Sequence, residues 1–215
     1  MTSTTPLSPS GRSTLGRLHE RGRADRADLY AVLDAGLVCH FGFVADGAPV
    51  VLPAGYGRLG DTIYVHGSSG ARWLRSSEMP ACLTVTHLDG IVYARSVFHF
   101  SMNYRSAVVH GTARLVTDET ERRDSLRAIV EHLAPGSWEH ARTPSRRELA
   151  ATAVLSMDLS EASVKVRTGP PKDDEEDLTD EVWAGVVPVL PTFGAPVPDE
   201  HVPAGRAVPE HVTRR

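Results

Sequence analysis

Hydrophobic residues change period along this chain, and each change marks an element. In RADLYAVLDAG (26–36), Leu29, Val32 and Leu33 recur at helical spacing and Gly36 supplies the stop, which predicts a short helix. From Leu37 the period drops to that of strands. LVCHFGFVADGAPVVLPAGYGRLGDTIYVHG sets β-branched and aromatic runs around Asp46-Gly47 and Gly60-Asp61, the pattern of hairpins. Ser69 to Glu78 reads as a helix closed by Pro80, and PACLTVTHLDGIVYARSVFHF as a further hairpin turning at Asp89-Gly90. A longer strand, YRSAVVHGTARLVT, follows, with Gly111 marking a bulge or a close backbone approach. TDETERRDSLRAIVEHLAPG predicts a helix: Asp118-x-x-Glu121 caps it, Leu126, Ile129, Val130 and Leu133 form its stripe, and Pro135-Gly136 ends it. TPSRRELAAT predicts a short helix with Pro144 at its first position, and AVLSMDL and EASVKVRTG the last strands.

Consecutive hairpins with one inserted helix do not build the parallel sheet of dinucleotide-binding folds; they predict a small antiparallel barrel. Residues 1–24 are rich in Ser, Thr, Pro and Arg and are expected to be mobile. Residues 25–170 carry the barrel. Residues 171–215 turn acidic and proline-rich, and there only EVWAGVVPVL (181–190) is apolar enough to dock. A chain of 215 residues that is 41% hydrophobic buries one core, not two large ones. The net charge of −4 includes the run DDEED (173–177), expected to be a solvated linker, so the barrel itself is near neutral. That balance argues against nucleic-acid and membrane-surface partners and suits a small anionic ligand. No apolar run approaches a bilayer span, and the first residues lack the apolar core of a secretory signal. Cys39 and Cys82 sit in apolar segments with no CxxC partner, the usage of reduced thiols in a cytoplasmic protein.

Candidate chemistry concentrates in four places. The turn His66-Gly67-Ser68-Ser69-Gly70 matches neither phosphate-loop fingerprint, yet its small residues, the helix expected after it and Arg72 suit an anion; the plainer reading is a capped turn. In SMNYRSAVVHG, Arg105 shares a strand face with Ala107 and Val109 and therefore needs a partner, either a bound anion or a carboxylate of the protein. His40, His66, His87, His99 and His110 fall in expected strands, but none has metal-ligand spacing, so no metal site is expected. Lys165 and Arg167 alternate with Val164 and Val166, and Trp183 stands alone in the tail as an anchor or a ligand contact. No nucleophile elbow or triad order is present.

The runs YVHGSSGARWLR and SMNYRSAVVHG, within a likeness extending over about residues 25–190, resemble the pyridoxamine 5′-phosphate oxidase-like flavin-binding proteins, and within them the branch of the 5-nitroimidazole resistance proteins. The resemblance implies a six-stranded antiparallel split β-barrel of Greek-key type with flanking helices, a homodimer, and FMN at the subunit interface. It implies that His66, Gly67, Ser68, Ser69 and Arg72 lie at the FMN phosphate with Asn103, Arg105 and Ser106. Pro53, Ala54 and Tyr56 would run beside the ring, with Lys165 and Trp183 coming from the partner subunit. The C-terminal arginine motif of true pyridoxamine-phosphate oxidases has no counterpart in VPAGRAVPEHVTRR, so that substrate is not expected.

The implied activity is an FMN-dependent oxidoreductase acting on a small molecule, in which the flavin carries the chemistry and the protein orients and shields it. By residue type His40, Tyr56 and His99 are proton donors in waiting. Alternative readings are a reductase using the deazaflavin F420, a non-enzymatic flavin carrier or sensor, and a haem-binding split barrel with His40 or His99 as axial ligand.

Overall fold

The structure, a computed structural model, describes residues 6–8, 10–71 and 77–213. Among them the strands join one antiparallel sheet of ten, and its main path runs β3-β2-β6-β7-β8-β5-β4. The path is β2 (Cys39–Ala45), β3 (Ala48–Ala54), β4 (Tyr56–Leu59), β5 (Thr62–Ser68), β6 (Glu78–Tyr93), β7 (Ser101–Leu115) and β8 (Thr152–Asp158). Its two end strands, β3 and β4, are joined by Gly55 alone, so the sheet must curl until its edges meet. That closure makes it a barrel.

Where six strands were expected, seven lie on this path and three short ones lie off it. β1 (Gly22–Arg23) pairs with β9 (Ala162–Arg167), and β10 (Gly185–Pro188) pairs with the end of β6, Gly185 opposite Tyr93. β9 in turn takes the edge of β7 from Tyr104 to Val109, while β8 takes the same edge only at Arg114 and Leu115. The split of the barrel lies between them.

The turn chemistry at Asp46-Gly47 and Gly60-Asp61 gives hairpins. Asp46 and Gly47 both have positive φ (50° and 79°), and Gly60 has φ 58° at the first turn position. Asp89-Gly90 does not turn. β6 runs straight through it and pairs with β7 from Glu78↔Arg114 to Val92↔Ser101, with a bulge between Leu88 and Gly90. Asp89 drops out of the register, and its carboxylate accepts two hydrogen bonds from Arg105 on β7, each 2.9 Å. The hairpin turns instead at 94–100, through a 3-10 turn at Val97–His99, which takes His99 out of the strands. Gly111, expected to bulge, pairs in regular register with Ala81. Of the helix expected over 69–78, residues 72–76 lie outside the described residues and Glu78 already belongs to β6.

α1 (Arg26–Ala35) buries Leu29, Val32 and Leu33 against β6, β7 and β9. α2 (Glu119–Leu133) starts where the pattern places it, with the Asp118 carboxylate accepting from the Glu121 amide at 2.8 Å, and packs on β4. α3 (Ser137–His140) and α4 (Arg146–Ala151) follow; Ser145 caps α4 in a capping box with Glu148, so Pro144 stands outside the helix rather than opening it. α5 (Glu210–Thr213) ends the described chain.

Among the described residues before α1, a segment expected from composition to be mobile, several are tied to the body. Leu7 and Ser13 are buried, the Ser8 amide donates to Ala162 O at 2.7 Å, and Arg12 forks onto Glu161. The acidic run, expected to be solvated, is docked at Asp173, while Asp174, Glu175 and Glu176 stay exposed. The Asp173 carboxylate, 2% exposed, accepts from Arg95, and Asp174 meets His99 at 3.2 Å.

Gly57 is where α2 sits on the barrel: a Cβ there would lie 2.5 Å from the amide nitrogen of Ile129 and 2.6 Å from the carbonyl carbon of Ala128. Backbone cannot step aside as a side chain can. Gly57→Ala should therefore cost about 1–3 kcal/mol in urea unfolding, whereas Gly111→Ala, whose Cβ would find its nearest neighbour at an ordinary 3.7 Å, should come close to wild type in side-chain packing. Equal midpoint losses would show that α2 is not seated on Gly57.

Candidate functional site

The residues singled out from the sequence fall into two groups on different parts of the chain. Ala54, Tyr56 and His66–Ser69 gather at the barrel seam, since Tyr56 pairs with Val65 and Ala54, the last residue of β3, is separated from Tyr56 by Gly55 alone. Arg105 and Ser106 stand on the first half of β7, with Lys165 directly opposite Ser106 on β9. The seam connects to β7 by two routes, His66 through β8 at the far end near Arg114 and Ala54 through β2 and β6. Neither route sets Arg105 beside His66 on one chain.

Several of these side chains already have work. Tyr56 is fully buried, its hydroxyl donating to the carbonyls of Leu33 and Gly36, with the His132 ring 4.7 Å away. Asn103 is buried and donates to Gly169 O at 3.1 Å while accepting from Arg167. Arg105 has its carboxylate partner in Asp89, which the guanidinium holds below its usual pKa. In the turn after β5, the amides expected to face an anion have internal acceptors: Ser69 donates to Ala151 O (2.9 Å), Gly70 to Ser68 Oγ (3.3 Å) and Ala71 to Ser68 O (2.9 Å). The hydroxyls of Ser68 and Ser69, Gly67 at the turn and the exposed Pro53 remain on the surface of the seam; Arg72 lies outside the described residues. Ser106 Oγ donates to Lys165 O at 3.4 Å, Lys165 Nζ reaches Arg17 O at 3.5 Å, and Trp183, 65% exposed, packs edge-on against Tyr93.

His66 has a different setting. It closes one wall of a cavity of about 480 Å³ between the end of β5, α2, α3 and α4, lined also by Leu126, Val130, Trp138, Pro144 and Leu149. All five apolar residues are only partly buried. The imidazole faces this chamber rather than the core and stays accessible; the walls still desolvate it enough to lower its pKa below 6.5. A neutral imidazole at the wall of an apolar chamber is the form that ligates a metal. Arg142 and Glu148, paired through two hydrogen bonds of 2.6 and 2.8 Å, lie at the same chamber. By contrast His40 is exposed on β2 opposite Pro53, and His99 is engaged by Asp174. Sequence reasoning counted His66 among the phosphate residues and overlooked the chamber, because its walls come from three helices that only tertiary packing assembles.

The model of the pyridoxamine 5′-phosphate oxidase family matches residues 25–166, which spans the barrel and the helices of the chamber. The chain belongs to this family. Among solved structures, it is similar to the flavocytochrome Anf3 from Azotobacter vinelandii, with 42% identity over 97% of this chain and 98% of that one and a TM-score of 0.89. It is also similar to an FAD- and haem-binding protein from Mycobacterium smegmatis, at 38% identity over 90% and 96% with a TM-score of 0.86. A candidate 5-nitroimidazole antibiotic resistance protein from Bacteroides thetaiotaomicron shares the fold at 21% identity over 67% and 86%, with a TM-score of 0.56. No curated protein matches. Among the described residues, no helix is long and apolar enough to cross a membrane.

The lowered pKa of His66 has a measurable sign. Just below pH 6.5 the unfolded chain binds more protons at this residue than the folded one does, so its contribution makes stability rise with pH and fall on acidification. NMR titration of the His66 ring should give a pKa below 6.5, and His66→Gln should flatten that part of the acid dependence. A value above 6.5 would contradict a desolvated imidazole.

Proposed function

We propose that this protein is a homodimeric redox protein of the flavocytochrome kind, binding a flavin and a haem, with His66 as the residue that takes the haem iron. The observation that carries the reading is the accessible, desolvated imidazole of His66 at an apolar chamber, in a chain 42% identical to a flavocytochrome over nearly its full length. The donor set fits haem: one neutral imidazole, apolar walls for the macrocycle, and an indole in Trp138 to lie against it. His40 and His99, the histidines first suggested for that role, lack such a chamber. When bound, the flavin would supply hydride and single-electron chemistry and the haem one-electron or dioxygen chemistry. The side chains of the chamber would orient the haem and keep bulk water from it.

For the flavin, FAD is the form named for the relative from Mycobacterium smegmatis, and it supports an adenine dinucleotide over the FMN expected from sequence. Two half-sites would hold it. Pro53, Ala54 and the Gly67–Ser69 turn would form one, and Arg105, Ser106, Lys165 and Trp183 the other. These groups stand on strands that are not paired with one another in one chain, so a second chain would supply one of the two, which supports a dimer with the cofactor between subunits. In that arrangement Arg105 exchanges Asp89 for a phosphate oxygen, a small cost for an ion pair whose side chains are 39% and 31% exposed.

Expressed with haem supplied, the protein should show a Soret band together with flavin absorbance and elute as a dimer by light scattering. His66→Ala should lose the Soret band and keep the flavin. A wild-type protein that takes up flavin but never haem would sink the reading, as would a His66→Ala variant with an unchanged Soret band.

A further inference from the structure

Trp138, Ala141 and Leu149 line a second cavity as well as the His66 chamber, so the two adjoin at the indole. The second is larger, about 990 Å³, and its lining changes character: four arginines contribute to it, from α2 and α4. Arg127 is committed to Glu139 at 2.9 Å. Arg122, Arg123 and Arg146 have no hydrogen-bonded or ion-pair partner for their guanidinium groups among the described residues. All three are placed by helical spacing beside the chamber: Arg122 and Arg123 lie one turn before Leu126 on α2, Arg122 the more buried of the two, and Arg146 lies one turn before Leu149 on α4.

A chamber with a histidine thus adjoins a groove whose guanidinium groups are unpaired among the described residues. The complementary ligand is a flat apolar body with an anionic edge. Resting on the haem reading above, we propose that Arg122 and Arg146 bind the two carboxylates of the haem and so fix which edge of the macrocycle points away from His66. Guanidinium forks pair with carboxylates through charge-assisted hydrogen bonds, and at a groove open to solvent the carboxylates need not be dehydrated fully. The groove also holds acids, but they do not cancel this. Glu139 is neutralised by Arg127, Asp124 is two residues from Arg122 and so on another face of α2, and Glu119 lies a turn further from the chamber.

The test compares protohaem with its dimethyl ester, which has the same iron and ring but no carboxylates. Both are titrated into the flavin-loaded protein and followed at the Soret band. Wild type should bind protohaem more tightly than the ester. In Arg122→Ala/Arg146→Ala protohaem affinity should fall about tenfold or more, the worth of one to two charged hydrogen bonds, while ester affinity and the Soret position stay put. Arg147→Ala, next in sequence but not lining the groove, should leave both affinities unchanged; if the alanine pair does not fold, Arg122→Gln/Arg146→Gln is read by the same criteria. A double variant that binds protohaem like wild type, or loses both ligands equally, overturns the assignment while leaving the haem reading intact. A wild type with no Soret band for either ligand overturns the haem reading itself.

Discussion

The long antiparallel ladder between β6 and β7 is the constraint on which the rest of the molecule depends. Its two strands pair along almost their whole length, and each then shares its outer edge between two partners: β2 and β10 on β6, β9 and β8 on β7. A strand whose edge is divided in this way cannot continue into a flat sheet. β8 carries β5 and β4 in one direction, β2 carries β3 in the other, and Gly55 forces their ends together. Closure puts Gly57 at the seam, and only a residue without Cβ lets the α2 backbone approach it. α2 then supplies Leu126 and Val130 to the chamber that β5 closes with His66. The geometry of the site is set by a strand pairing that contributes none of its lining.

The charged residues within this frame act as ties more than as sources of stability. Arg26, nearly buried, donates to the carbonyls of Leu159 and Ser160 at 2.9 and 3.1 Å and fastens α1 to the turn between β8 and β9. Arg167, also buried, donates to Asn103, Gly169 O and Pro170 O, and fixes the chain as it leaves the barrel for the tail. Each guanidinium is met by several oxygens, the condition under which burying a charge is tolerable. Asp89 and Arg105 are different. They are open enough to solvent that their pairing is worth about 1 kcal/mol at most, and a pair that weak can exchange one partner for a ligand.

What the sequence revealed, and what it hid, follow from the range of the interactions involved. Asp46-Gly47 was legible because a two-residue turn is decided by its own φ angles. Asp89-Gly90 carries the same letters but stands in a strand paired on both sides, and there the ladder outweighs the local turn preference and the extra residue becomes a bulge. The cap of α2 was legible for the same local reason as the first turn, whereas the start of α4 was read two residues early, at Pro144 instead of Arg146. The docking of DDEED was not, since nothing near it in sequence announces that Arg95 waits beside it with a buried place for one carboxylate. The need of Arg105 for a partner was visible from its strand neighbours; the identity of that partner, sixteen residues away across a bulge, was not. His66 was noticed for the turn it begins, while its chamber is built by residues from Leu126 to Thr152.

This pattern bears on how one barrel family accommodates different cofactors. The ladder and its closure are satisfied by residues 39–115 together with β8 and β9. The chamber is made by the segment from α2 to α4, inserted between β7 and β8, which the barrel needs only as a connection. Such a crossover is free to change length and lining without disturbing the ladder, provided that it keeps a seat at Gly57. An imidazole at the end of β5 then becomes a ligand or a surface histidine according to what that crossover lays over it. In this chain it lays down a tryptophan, three aliphatic side chains and, one turn beyond them, arginines without partners among the described residues. The proposed flavin half-sites, by contrast, would lie on the barrel strands and the tail, so the two cofactors would be held by parts of the fold that can vary independently.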